Sequence, residues 1–144
     1  MKSRTRARSI ALQVLYEHDL TGHSPALLLE QRFGDEVYDD NLKEFSKKIV
    51  SGVFPLILRL DEIIAHHAPE WPLEQVATID RNIIRIALWE FAIEQCTPVK
   101  VAINEAIELA KVFGSDSTPR FVNGVLGSLA EQQGEIYNLF KVST

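Results

Sequence analysis

The stretch from Ile79 to Gln95 constrains this chain most. Its apolar residues, Ile79, Ile83, Ile84, Ile86, Ala87, Leu88, Phe91 and Ala92, cover most of the circumference of a helix rather than one stripe. A helix apolar on nearly every side is stable in water only when other elements surround it. Strand patterns are almost absent elsewhere, so those elements must be helices. The expectation is an all-α, single compact domain of about seven helices with this segment at its centre.

Three- and four-residue apolar spacing supplies the surrounding helices. Arg4 to about His18 places Ala7, Ile10, Ala11, Val14 and Leu15 on one face. Ser24 before Pro25 opens a second helix running to about Phe33. Gly34 to Asp40 is acidic and turn-like. A long pattern then runs through Leu42, Phe45, Ile49, Val53, Ile57, Leu60 and Ile64, with Pro55 inside it. Proline removes a backbone hydrogen bond and clashes with the preceding turn, which predicts a kink or break near Gly52. Pro69 and Pro72 flank Trp71 and mark the next boundary, and 72–77 fits one short helical turn. Residues 1–134 are expected to form the domain. Residues 135–144 are expected to be a tail with a short extra turn.

From Pro98 to Gly127 the chain reads as helix, loop and helix. Val99, Ala102, Ile103, Ala106, Ile107, Ala110 and Phe113 form the first stripe, and Val122, Val125, Leu126 and Leu129 the second. Ala102, Ala106 and Ala110 sit one turn apart and admit a close neighbour. Gly114 suits a left-handed C-cap, and Thr118 then Pro119 suit an N-cap and first helical position. Gly124 and Gly127 each cost roughly 1 kcal/mol against alanine inside a helix, which points to close packing or contact there.

Composition bounds the function. The chain has 144 residues, 46% hydrophobic and 24% charged, enough for a core without disulfides or metal. Cys96 stands alone, so no intrachain disulfide forms and nothing points to an oxidising compartment. No apolar run reaches spanning length, and the basic start lacks the apolar region of a secretory signal, so a cytoplasmic location is expected. Nucleophile-turn and phosphate-loop motifs are missing. His18, His23, His66 and His67 do not show the spacing that puts two ligands on one helix face. Asp39-Asp40 and Asp61-Glu62 read as surface charge rather than an acid/base pair. The expectation is no enzyme, no cofactor and no metal.

Charge is unevenly placed. The total is −5, yet Lys2, Arg4, Arg6 and Arg8 give residues 1–8 a charge of +4, leaving −9 on the remainder. A basic end suits a polyanion and an acidic body suits a basic protein. A solvated, frayed terminus explains the same cluster equally well. On a helical wheel Arg6, Ser9, Gln13 and Tyr16 lie opposite the first apolar stripe. Arginine forks pair with phosphate, and Gln and Tyr contact unpaired bases. An ordinary solvent face is the alternative. Phe121, preceded by Arg120 and off its helix's main stripe, is either core rim or a base-stacking platform.

Three segments in order, an arginine-rich start ending in ALQVLY, then IDRNIIRIALWEF, then VAINEAIELAKVFG with FVNGVLG, resemble the NusB family of bacterial transcription antitermination factors from about Arg4 to about Ala130. The resemblance implies a compact helical fold and a non-catalytic protein. It implies binding of single-stranded boxA RNA in ribosomal RNA leader transcripts, together with NusE, a small-subunit ribosomal protein. The pair joins RNA polymerase and other Nus factors and suppresses premature termination. Carried over by position, the RNA surface comprises Lys2, Arg4, Arg6, Arg8, Gln13, Tyr16, Phe113, Ser117, Arg120 and Phe121, and Asp80 contacts the protein partner. Pro119 stands where a polar residue often sits in the family. Two alternatives stay open. One is a helical protein–protein adaptor that does not touch RNA. The other is a stand-alone relative of the NusB-like domain of ribosomal RNA cytosine methyltransferases, which the chain length and the lack of a cofactor-binding domain oppose. Oligomeric state is also open, and a homodimer would bury the same central helix.

Overall fold

The computed structural model describes residues 2–143. Met1 and Thr144, which bound the expected 1–134 and 135–144 segments, lie outside the described residues. Among the described residues there are eight α-helices and no strand. The chain divides into two compact units, residues 1–55 and 56–144.

The first unit holds α1 (Ser3–Thr21), α2 (Pro25–Asp35) and α3 (Asp40–Val53). All five residues expected on the inner face of α1 are buried, with Leu12 in addition. Leu28 and Leu29 of α2 and Leu42, Phe45, Ile49, Val50 and Val53 of α3 are also buried. Burying each of the larger of these side chains, the Val, Leu, Ile and Phe residues, stabilises the fold by about 1.5–3 kcal/mol. The Ser46 hydroxyl, fully buried on α3, donates to the Ala7 carbonyl of α1 at 2.9 Å. Ser24 caps α2 by accepting from the Leu27 amide, and Asp39 caps α3 by accepting from the Leu42 amide at 2.8 Å. Asp39 is exposed, as expected of surface charge, and also serves as a structural cap.

The expected break at Pro55 falls slightly later than Gly52. Helix α3 continues to Val53, and Phe54–Leu56 forms a 3-10 turn. Proline obstructs the turn before it, and the unit boundary lies at the same residue.

The second unit contains α4 (Ile57–His67), a 3-10 turn at Leu73–Gln75, α5 (Thr78–Leu88), α6 (Val99–Phe113), α7 (Thr118–Ala130) and α8 (Gln133–Ser143). Helix α5 runs on into a π turn at Trp89–Ile93, giving the continuous helical stretch expected from the sequence. Residues 82–92 are buried without interruption, the polar Asn82, Arg85 and Glu90 included. Each buried polar group is paired. Arg85 forks onto Asp61 at 2.8 and 2.6 Å and donates to Asn82 Oδ1 at 3.0 Å. Glu90 accepts from the Thr97 hydroxyl at 2.7 Å. Asp61, expected as surface charge, is thus the counter-ion of a buried arginine.

The segment expected to form a short terminal turn is instead the eleven-residue helix α8. Ile136 and Phe140 bury its inner face. Gln133 donates to the Phe91 carbonyl in the π turn at 2.7 Å, and the Arg59 guanidinium lies 4.6 Å over the Phe140 ring.

Two local expectations change at the α6–α7 connection. Gly114 is extended (φ −93°, ψ −174°) rather than left-handed. Its requirement for glycine is steric, because a Cβ there would meet the Thr118 side chain at 2.5 Å. Thr118 is the first helical residue, not the N-cap, which is Ser117. The Thr118 hydroxyl turns back to accept from the Ser115 amide at 3.0 Å and donates to Asp80 at 3.1 Å. Gly124 faces Trp71, whose ring would stand 3.6 Å from a Cβ, an ordinary van der Waals distance, so sterics do not demand glycine there. Nothing lies within 4 Å of a Cβ at Gly127, and the structure gives no reason for that glycine.

Candidate nucleic-acid interface

The candidate residues divide between the units. In the first, Lys2, Arg4 and Arg6 are exposed at the start of α1. Arg4 lies 4.4 Å over the Phe45 ring, a stacking that leaves the guanidinium charged and oriented. Arg6 donates to Glu36 Oε1 at 2.7 Å and stands 5.0 Å over the Tyr38 ring. Hydrogen bonding to Glu36, then burial, then the charge of Glu36 hold the Tyr38 phenol above its ordinary range.

Arg8 differs from expectation. It is 3% exposed and lies 5.1 Å over the same Phe45 ring, so it belongs to the interior and not to the open basic surface. A period of 3.6 residues places Arg8 within one turn of Ala7, Ala11 and Leu12, all of which are fully buried. Gln13 is half-buried and engaged. Its amide nitrogen donates to the Ser9 carbonyl and hydroxyl, each at 3.2 Å, and its oxygen accepts from Arg32 at 2.6 Å. Tyr16 is half-buried on the same helix.

In the second unit a groove of about 640 Å³ brings together Ser117, Arg120, Phe121 and Asp80, with Trp71, Val76 and Gly124 completing its wall. Trp71 and Phe121 meet edge to face with ring centroids 6.5 Å apart. The indole lies against Gly124, at ordinary contact distance from where a Cβ would stand. Arg120 and Ser117 are exposed at the margin. Burial raises the Asp80 carboxyl above its usual range, and the Thr118 hydrogen bond pulls it partly back. Phe113 is half-buried at the end of α6 and does not line this groove. Trp71 went unremarked as a site residue in the sequence. Its signal was a tryptophan between two prolines, read only as a boundary. Among the described residues there is no cluster of three or more metal-binding side chains, and no helix is long and apolar enough to cross a membrane.

The sequence matches the NusB family across residues 5–131. The chain belongs to the NusB family. A Roseiflexus transcription antitermination protein NusB is 45% identical over 134 residues, covering 92% of this chain and 94% of that relative. The crystal structure of T. maritima NusB superposes with a TM-score of 0.82 at 30% identity, covering 94% of this chain and 96% of the other. A second match, at TM-score 0.82 and 26% identity, covers 91% of this chain and 98% of the other. It comes from a crystal structure of the antitermination factors NusB and NusE in complex with double-stranded RNA. NusB proteins are transcription antitermination factors and not enzymes, as the resemblance implied.

Proposed function

We propose that this protein binds single-stranded boxA-type RNA of ribosomal RNA leader transcripts together with a NusE-type ribosomal protein. In the cytoplasm the pair would join RNA polymerase and other Nus factors and suppress premature termination. The observation that carries this reading is the likeness to a NusB crystallised with NusE and RNA. The RNA in that relative's complex is double-stranded. A single-stranded target is favoured here because Trp71 and Phe121 both line the groove and aromatic rings suit unpaired bases, whereas a regular duplex offers mainly backbone and shape. Lys2 and Arg4 supply phosphate contacts on one unit, where Arg6 joins them only once Glu36 is displaced, and Ser117, Arg120 and Phe121 contact RNA on the other. Asp80 contacts the basic protein partner, where charge sets encounter rate and specificity more than affinity.

Binding is measured to boxA RNA, a scrambled strand and a boxA duplex, with and without the NusE-type protein. The comparison set is wild type, Lys2→Ala/Arg4→Ala and Phe121→Ala. Sequence-preferring binding to the single strand that tightens with the partner, and weakens in both variants, is expected. For about three neutralised phosphates log affinity falls with log salt at a slope near −2, taking roughly −0.7 per phosphate. Equal binding to boxA and scrambled strands overturns the reading in favour of a protein adaptor. Preference for the duplex overturns its single-stranded part.

A further inference from the structure

We propose that α8 is a proton-sensitive strap, clasped to the C-terminal end of α4 by His67 and Glu135 and docked more tightly when the His67 ring carries two protons. Helix α8 lies beyond residues 5–131, the stretch that matches the family. It is tied to α4 at two places. At one, Arg59 donates to the Leu139 carbonyl at 3.3 Å and lies over the Phe140 ring. At the other, Gln132, just before α8, donates to the His67 carbonyl at 3.1 Å, and Glu135 Oε1 stands 3.7 Å from His67 Nε2. Gln133 also holds the Phe91 carbonyl of the π turn, so the strap reaches the central helix.

The backbone fixes the tautomer of His67, whose side chain is 2% exposed. Nδ1 stands 3.1 Å from the Ile63 carbonyl, which can only accept, so Nδ1 carries the hydrogen. A neutral imidazole has one N–H, which leaves a bare lone pair on Nε2. That atom is buried and has no hydrogen-bond partner. The group facing it is a carboxylate oxygen, a second acceptor, too far away for a hydrogen bond. A second proton reverses the relation. Nε2–H becomes a donor aimed at Glu135, and imidazolium attracts carboxylate. A buried polar atom without a partner costs free energy, so the docked strap favours the doubly protonated ring.

Glu135 is the one charged group within ion-pair reach of that ring among the described residues. His66, its exposed neighbour on α4, meets it edge to face with ring centroids 4.8 Å apart. On α5, Arg85 is held by Asp61, Arg81 donates to the Val76 carbonyl and Asp80 accepts from Thr118. On α7, Arg120 lines the Trp71 groove and Glu131 is exposed at the helix end, as is Glu74 on the 3-10 turn. Glu135 is itself 65% exposed. Water therefore screens the pair, and its effect falls on the docking of α8 rather than on the whole fold.

The test is amide hydrogen exchange of α8 in wild type, Glu135→Gln, Glu135→Ala and His66→Gln, from about pH 8 to about pH 5.5. That span crosses the ordinary imidazole range and stays above the carboxylate one. Protection factors, corrected for the intrinsic rate at each pH, give the opening equilibrium of the helix. In wild type the opening is expected to fall roughly tenfold toward acid. Glutamine can donate its amide to a neutral Nε2 and can accept from Nε2–H. Glu135→Gln is therefore expected to hold α8 about equally at both ends of the span. Glu135→Ala offers no acceptor and is expected to open more than wild type at the acid end. His66→Gln keeps the wild-type response. Other titrating groups, Asp80 included, are common to wild type and Glu135→Gln and cancel in the comparison. Opening independent of pH in wild type, or the wild-type response surviving in Glu135→Gln, overturns the strap. Loss of the response in His66→Gln overturns it too, because the proton would then act from the other ring.

Discussion

Glu36 holds Arg6 at 2.7 Å, a carboxylate placed where a phosphate oxygen would sit on the same guanidinium. Both side chains are about half exposed, at 44% and 54%. An ion pair of that kind contributes only about 0–1 kcal/mol to folding. Its larger effect is on binding, since RNA must displace Glu36 before Arg6 can contact it. Glu36→Gln is therefore expected to leave thermal stability nearly unchanged while tightening RNA binding. The salt slope steepens by up to about 0.7, one further phosphate contact. Parallel melting curves and salt titrations check both parts. Unchanged affinity would mean that Arg6 does not contact RNA.

A Cβ on residue 114 would stand 2.5 Å from Thr118, whose hydroxyl joins the Ser115 amide to Asp80. Gly114→Ala is expected to destabilise by about 1–3 kcal/mol, as overpacking does. Gly127 supplies the contrast. Its Cβ would meet nothing within 4 Å, and it lies in the interior of α7. Gly127→Ala is expected to be neutral or stabilising by up to about 1 kcal/mol. Urea midpoints of the two variants should move in opposite directions or differ clearly in size.

The difference between these two glycines shows what the sequence carried and what it did not. Periodicity located the buried residues of α1 and α7 and the all-round burial of α5, because a 3.6-residue repeat is a local property. It could not tell which glycine faces a tryptophan from outside its helix. Nor could it show that Arg8 turns inward, since a wheel ranks residues by angle and does not reveal that Phe45 receives a guanidinium. Asp61 looked like surface charge for the same reason, its partner Arg85 being twenty-four residues away. Of the candidate site, Ser117, Arg120, Phe121 and Asp80 do line one groove, but Trp71 is joined to them only through tertiary structure.

Asp80 carries a pH signature. Burial raises its folded carboxyl above the ordinary 3.8, so between that value and the folded one the native state holds more proton than the unfolded chain. Stability from this group is complete below pH 3.8 and is lost as pH rises through the folded pKa. Asparagine keeps an oxygen to accept from Thr118 and cannot ionise. The stability difference between Asp80→Asn and wild type is expected to shift in favour of the variant as pH rises from about 4 to neutrality. Urea denaturation at several pH values checks it. A difference independent of pH would mean that Asp80 ionises in the folded protein as freely as in the unfolded one.

Trp71 gives the groove a direct optical report. The other tryptophan, Trp89, is 3% exposed within the π turn, so a ligand reaching the groove should perturb Trp71 alone. Stacking a base against an aromatic platform is worth about 1–3 kcal/mol. Phe121→Ala is therefore expected to weaken boxA binding by about one to two orders of magnitude, and Phe121→Tyr to preserve most of it. RNA should change the tryptophan emission of wild type, and Trp71→Phe should abolish that change. The same experiment separates the two ligands assigned to neighbouring side chains. Asp80 lines the groove with Phe121 and Arg120, so a partner protein seated there would also perturb Trp71. Emission that responds to the NusE-type protein alone, and not to RNA, would reassign Phe121 and Arg120 to the protein contact.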